Sequence, residues 1–312
     1  MPQLRPLEPF DAQSAGFDSP WIGPSGGDVQ RLGLWLGGAL VGAVRLTSNR
    51  RLRQLHSAQV HLRALNAEHA DALLAAVTAF ADGWTPHDRL QLALPADHPA
   101  LSVAAAHGFA VEVRRVDRSA PGCDEIGLGR LRPGFAPRPP GPPPAWPPRL
   151  ERWQEVTFRP PSPSDAESMR DLSIEATAVW GTLQTPWSNA QFYADRYEST
   201  APGSEVVVVL AEGAFAGSAG LHPAGFPGVY GIGMAIAAEW QGGGLGGQIL
   251  DQLIRRGRAV GGRRLELGVW HDNSRARALY ETRGFVAEGL LRCDSIRGGG
   301  HASSLEMALL LG

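Results

Sequence analysis

The chain has 312 residues, 43% of them hydrophobic and 19% charged, with a net charge of −2. That length favours two domains, each long enough to bury a core. The near-neutral balance excludes a global field that would draw in nucleic acid or a membrane surface. Cys123 and Cys293 stand far apart in no ligand-like spacing, so neither a disulfide framework nor a metal site is expected. No apolar run reaches the roughly 20 residues of a membrane span, and Met1 to Phe10 lacks the pattern of a secretory signal; a cytoplasmic protein is expected. All 29 basic residues are arginine, which codon bias in a GC-rich genome accounts for.

The first half, 1–132, repeats features of the second. Gly38-Ala39-Leu40-Val41-Gly42 parallels Gly213-Ala214-Phe215-Ala216-Gly217, and Arg89-Leu90-Gln91-Leu92 parallels Arg264-Leu265-Glu266-Leu267. His107-Gly108-Phe109 parallels Arg283-Gly284-Phe285 after a one-residue slip, with Glu112 then matching Glu288. Three matches in order at nearly constant offset point to a duplicated domain. Between the halves, nine of residues 131–150 are proline. Proline fixes φ and removes a donor, so 133–153 is expected to be an extended, semi-rigid linker.

The second half, 154–312, opens with a short strand at Val156–Arg159. A helix follows from Ser164-Asp165 to about Thr177, and a second, capped by Asn189, runs to about Tyr197. Val206–Glu212, Phe215–Leu221 and Val229–Ile236 read as strands joined by short turns. Leu245–Val260 is an amphipathic helix, Leu265–Trp270 a strand, and Ser274–Thr282 a helix closed by Gly284. Val286–Ser295 and Ala302–Leu311 form a closing hairpin around Gly298-Gly299-Gly300.

The candidate site begins at Gln241-Gly242-Gly243-Gly244-Leu245-Gly246, set between a strand and the long helix. Glycines let backbone approach a ligand, and a helix start offers orphan N–H groups and the positive end of its dipole, which together suit a pyrophosphate. There is no Gly-Lys-Ser/Thr, so a nucleotide-hydrolysing loop is excluded. Gly242, Gly244 and Gly247 satisfy G-x-G-x-x-G. A dinucleotide fold, however, wants that pattern after its first strand and an acidic residue ending the next, and Glu266 lies inside its strand.

The same loop reads Q-x-x-G-x-G at Gln241, Gly244 and Gly246. Farther on, Asn273, Ala276, Tyr280, Gly284 and Phe285 fit N-x-x-A-x-x-x-Y-x-x-x-G-F. In this order, separated by a helix and a strand, the two motifs resemble those of the GNAT N-acetyltransferase superfamily. The resemblance implies an α/β architecture of tandem GNAT folds, each a mixed, mostly antiparallel twisted sheet flanked by helices. It also implies an acetyl-CoA-dependent acyltransferase in which an amine attacks the thioester directly. Acetyl-CoA would be held by the backbone of Met234, Ala235 and Ile236, by the loop from Gln241 through Gly242, Gly243, Gly244 and Leu245 to Gly246, and by Asn273. Tyr280 occupies the place of the family's acid for the CoA thiolate.

An alkyl amine of pKa near ~10 arrives charged, so a proton acceptor is needed. Glu266 is the candidate, through water, and His222 a weaker one. Thr182, Leu183 and Gln184, in the run to Pro186, resemble the acceptor loop of bacterial amino-acid N-acetyltransferases, which implies a small primary amine, an amino acid, as acceptor. Ser303 stands where relatives often carry Asp. Rival readings are an acetyltransferase of protein N-termini or side chains and a non-catalytic acetyl-CoA sensor. The first half is expected to keep the fold without a cofactor site, since Asn66–Asp71 replaces the glycine loop, His98 replaces Asn273 and Ala105 replaces Tyr280. It would serve as an intramolecular pseudo-dimer partner.

Overall fold

The structure, a computed structural model, describes residues 3–7, 12–13, 28–49, 52–146, 153, 155–183, 188–198 and 201–312. The chain divides into two compact units. Unit 1 is Met1–Asp117, Gly122–Arg138 and Leu291–Ile296; unit 2 is Arg118–Pro121, Pro139–Leu290 and Arg297–Gly312. The division at Arg138/Pro139 falls inside the proline-rich stretch, whose residues from Arg132 to Trp146 contain neither helix nor strand.

Unit 1 carries β1 (Gln3–Pro6), β2 (Val29–Leu36), β3 (Ala39–Ser48), β4 (Ser57–Ala64), helix α1 (Ala67–Trp84), β5 (Arg89–Pro95), β6 (Ala110–Ala120, whose end from Arg118 counts with unit 2) and β7 (Cys123–Leu131). The strands run β1-β2-β3-β4-β5-β7, antiparallel except for the parallel pair β4 and β5. Leu73, Leu74 and Val77 of α1 pack on Val44, Val60, Leu90 and Leu92, as the Ala72–Val77 and Leu90/Leu92/Leu94 pattern requires. Where unit 2 has a helix after its fifth strand, unit 1 has two 3-10 turns, Pro99–Ser102 and Ala104–His107.

Unit 2 carries β8 (Val156–Arg159), α2 (Ala166–Ile174), α3 (Ala176–Gly181), α4 (Ala190–Glu198), β9 (Glu205–Ala211), β10 (Ala214–Pro223), β11 (Val229–Ile236), α5 (Leu245–Ala259), β12 (Arg264–Trp270), α6 (Ser274–Glu281), β13 (Val286–Arg297, of which Leu291–Ile296 count with unit 1) and β14 (Gly300–Leu310). The order β14-β12-β11-β10-β9-β8 is antiparallel except where β11 meets β12. This is a mixed α/β fold with a mostly antiparallel sheet flanked by helices. Helix α5 buries Leu245, Ile249 and Leu253 against Val209, Ala216 and Ala219, and Leu250 and Ile254 against Leu221 and Leu265.

One expected helix is two. It starts from Ser162 rather than Ser164, because Ser162 and Asp165 form a reciprocal capping box with Pro163 in the first turn. It breaks at Glu175, whose backbone is extended and whose carboxylate accepts the Ala238 N–H at 2.7 Å. Asn189 caps α4 as expected, accepting the Phe192 N–H at 2.8 Å.

Candidate functional site

The parallel strands β11 and β12 pair only through Val229, Tyr230 and Gly231 with Arg264, Leu265 and Glu266. Beyond that the two strands run apart, although β11 continues to Ile236 and β12 to Trp270. The far side of β11 stays fully paired with β10, so the opening frees one edge of β11 without dissolving the sheet.

At the end of β11 the chain enters the glycine loop. Gly242 and Gly244 lie in the left-handed region at φ +90° and +86°, where side chains other than Gly and Asn cost about 1–2 kcal/mol. Gly244 is the N-cap of α5 and offers no side-chain cap; the Gly247 N–H turns back to the Gly244 carbonyl at 3.1 Å, and no side chain of the N-cap competes with an anion for the amides before it. Gln241 fixes the loop from within: its Nε2 donates to the Ile236 carbonyl at 2.8 Å and to Thr177 Oγ1 at 3.3 Å.

These elements enclose a cleft of about 260 Å³. Of the residues expected from the sequence, Met234, Ala235, Ile236, Gln241, Gly242, Gly244, Gly246, Asn273, Tyr280 and Thr182 line it. Gly243 and Leu245 do not. Leu245 turns its side chain into the core at 1% exposure, because a residue beginning an amphipathic helix must face the sheet. Leu183 lies against Gly268 of β12 rather than in the cleft. Gln184 lies outside the described residues.

Asn273 is buried and caps α6. Its Oδ1 accepts the Ala276 N–H at 3.2 Å and its Nδ2 donates to the Gly181 carbonyl at 3.3 Å, tying the far wall to α3. Tyr280 packs beside Phe285, and burial pushes its phenol up to about 12. It therefore stays protonated across the physiological range, a hydrogen-bond donor rather than a ready acid.

Glu266 is not in the cleft. Arg118 grips it with Nε at 3.0 Å and Nη2 at 2.9 Å, and Arg264 Nε adds a contact at 3.1 Å. Burial works to raise its carboxyl, but the two guanidinium groups outweigh it and hold the group below its ordinary value. The reason lies at the register: Glu266 sits opposite Gly231, at the last pair before the strands part, beside Arg264 on its own strand and within reach of Arg118, which sequence spacing did not place there.

A second cavity of about 230 Å³ adjoins β11. It is lined by Met169 of α2, Phe192, Tyr193, Arg196 and Tyr197 of α4, His222 of β10 and Gly233 of β11, among others. Gly233 lines this cavity and its neighbour Met234 lines the cleft, so one strand serves both. Burial, reinforced by Arg196, lowers the His222 imidazole from its ordinary value and keeps it neutral. Among the described residues that line it, none is acidic. Trp146, Thr177, Trp240 and Arg275 also line the cleft and were not singled out from the sequence, since none belongs to a fixed motif position. Among the described residues no His/Cys/Asp/Glu cluster could hold a metal, and no helix is long and apolar enough to cross a membrane.

Residues 167–285 match the acetyltransferase (GNAT) family. No curated protein matches the chain significantly. Similar solved structures each span about half of it. A GNAT superfamily phosphinothricin acetyltransferase from Sinorhizobium meliloti, in complex with acetyl-CoA, is 23% identical over 50% of this chain and 89% of its own, with a TM-score of 0.46. A ribosomal-protein-alanine N-acetyltransferase from Brucella melitensis is 23% identical over 50% and 99%, with a TM-score of 0.43. A spermidine N-acetyltransferase from Vibrio cholerae, in complex with CoA and spermine, is 20% identical over 50% and 95%, with a TM-score of 0.47. The matched segment, 167–285, lies within unit 2 and takes in β9 to β12, the glycine loop and α6.

Proposed function

We propose that unit 2 transfers the acetyl group of acetyl-CoA to the primary amine of a small molecule that also bears a carboxylate, an amino acid. The observation that carries the cofactor half is the parting of β11 and β12 beside an uncapped, glycine-lined helix start. The pyrophosphate would sit on the amides between Gly242 and Gly246. The pantetheine arm would add to the freed edge of β11 along Met234–Ile236 as an extra strand. A β11 N–H beside the thioester would stabilise the oxyanion as the amine attacks carbon, and Tyr280 would donate a hydrogen bond to the departing sulfur.

The acceptor half rests on the second cavity. Its aromatic wall and Arg196 suit a small zwitterion, whereas a polyamine would meet no carboxylate among the described lining residues. Neutral His222 takes the role that Glu266, held between two arginines, is not free to play: it receives the ammonium proton and leaves the amine nucleophilic.

Unit 1 fits a degenerate copy of the same fold. It has the same parallel pair, β4 with β5, and the same buried ion pair following it: Arg89 with Glu112, matched by Arg264 with Glu288. Gly108 and Gly284 share the left-handed turn before the next strand, at φ +81° and +85°. What differs is the helix start. Asn66 Oδ1 accepts the His69 N–H at 2.8 Å, so a side chain fills the position left open at Gly244.

Release of free thiol from acetyl-CoA, measured across amino acids, polyamines and peptides, tests this reading. Amino acids should be turned over, and His222→Gln should remove the acidic limb of kcat/KM, which lies below the ordinary histidine value near ~6.5. Turnover of only peptides or only polyamines would overturn the acceptor assignment.

A further inference from the structure

The cofactor cleft has one wall built from the proline-rich stretch. Of residues 139–144, Pro-Pro-Gly-Pro-Pro-Pro, only Gly141 has a backbone N–H, and it donates to the Gly298 carbonyl at 3.3 Å. Gly298 and Gly299 make the left-handed turn between β13 and β14, at φ +54° and +77°. The next residue, Gly300, lies so close to the Pro139 carbonyl that a Cβ would overlap it. The stretch is thus seated in a groove of glycines shaped to receive it, where an untethered linker would need no such cradle.

It ends by placing Trp146 in the wall of the cleft. The indole meets Trp180 edge-to-face at 5.8 Å, the Arg275 guanidinium stands over it at 5.0 Å, and it lies 3.4 Å from where a Cβ on Gly181 would be. A rigid aromatic held on two sides is costly to displace and presents a preformed apolar surface to a ligand. Its neighbours are Gly181 and the Asn273–Arg275 start of α6. These belong to the wall made by α3 and the start of α6, whereas the pyrophosphate would sit at the start of α5, so the ligand portion assigned to the indole is the arm.

We infer that the Pro139–Trp146 strap is a fixed wall of the acetyl-CoA site and that Trp146 packs on the pantetheine arm. This rests on the reading of the cleft as the cofactor site. The arm carries two amides and a dimethyl group, apolar and planar surfaces that an indole covers well, and covering them also shields the thioester from water.

Calorimetry on the full chain tests this with two probes: CoA, and 3′-phospho-ADP, which lacks the arm. Trp146→Ala should weaken CoA roughly 3- to 10-fold, the range of an aromatic contact, and leave 3′-phospho-ADP unchanged. Trp146→Phe should restore most of the loss. Gly300→Val, which unseats the strap while keeping the indole, should show the same selective loss, and it stands in if Trp146→Ala fails to fold. Equal losses for both probes, or unchanged CoA binding in both folded variants, would overturn the inference. Failure of the unaltered chain to bind either probe would instead sink the cofactor reading, and this inference with it.

Discussion

Replacing Gly244 by Asp and, separately, by Asn isolates the charge complementarity of the glycine loop. Gly244 sits at φ +86°, and a Cβ there meets nothing within 4 Å, so both side chains start in open space. Both residues tolerate the left-handed region better than other side chains, at about 1 kcal/mol of strain, so the fold should survive in both. The two side chains have the same shape, and the ratio of their acetyl-CoA affinities therefore reports charge alone. A carboxylate about 5 Å from one phosphate charge, at an effective dielectric constant of about 20, is repelled by about 3 kcal/mol, roughly 150-fold in affinity. Calorimetry at low salt should show that ratio, and it should shrink as salt shortens the Debye length to about 3 Å at 1 M. A ratio under about threefold at low salt would refute a pyrophosphate at this loop.

Three further outcomes follow from the site. Tyr280→Phe removes the hydrogen-bond donor to the departing sulfur and should lower kcat by roughly 10²-fold while acetyl-CoA affinity holds, and the rate should show no basic inflection from this phenol below about pH 11, because burial pushes it up to about 12; a loss under about threefold would reduce Tyr280 to packing. Glu266→Gln should leave kcat within about threefold but lower the urea midpoint, since Arg118 and Arg264 lose their shared partner; a large kcat loss in a stable variant would return Glu266 to the chemistry. Glu288→Gln should cost about 1.5–3 kcal/mol in chemical unfolding, because the 1%-exposed Arg264 guanidinium loses the carboxylate it binds at 2.7 and 2.5 Å and keeps the Glu266 contact at 3.1 Å; an unchanged midpoint would mean that Glu266 alone satisfies that charge.

Local chemistry determined what was legible from the sequence. Strand and helix bounds in the second half differ from expectation by only a few residues, because alternating and 3.6-residue apolar patterns record which face is buried. Asn189 was readable as a helix start because capping needs only the residues that follow. The glycine loop was readable because positive φ at Gly242 and Gly244 is a local demand on the residue type. Tertiary structure decided the rest. Glu266 looked available in sequence, and only the convergence of Arg118, 148 positions away, showed it engaged. Leu245 sat within a binding motif, yet the rotation of α5 against the sheet sent its side chain into the core. His222 gained a cavity only once α4 folded across β10 and β11. Trp146 lay in what composition marks as a linker. Composition reports that proline excludes helix and strand; it does not report which surface an extended segment packs on, because that depends on a distant turn, Gly298 to Gly300, having room for it.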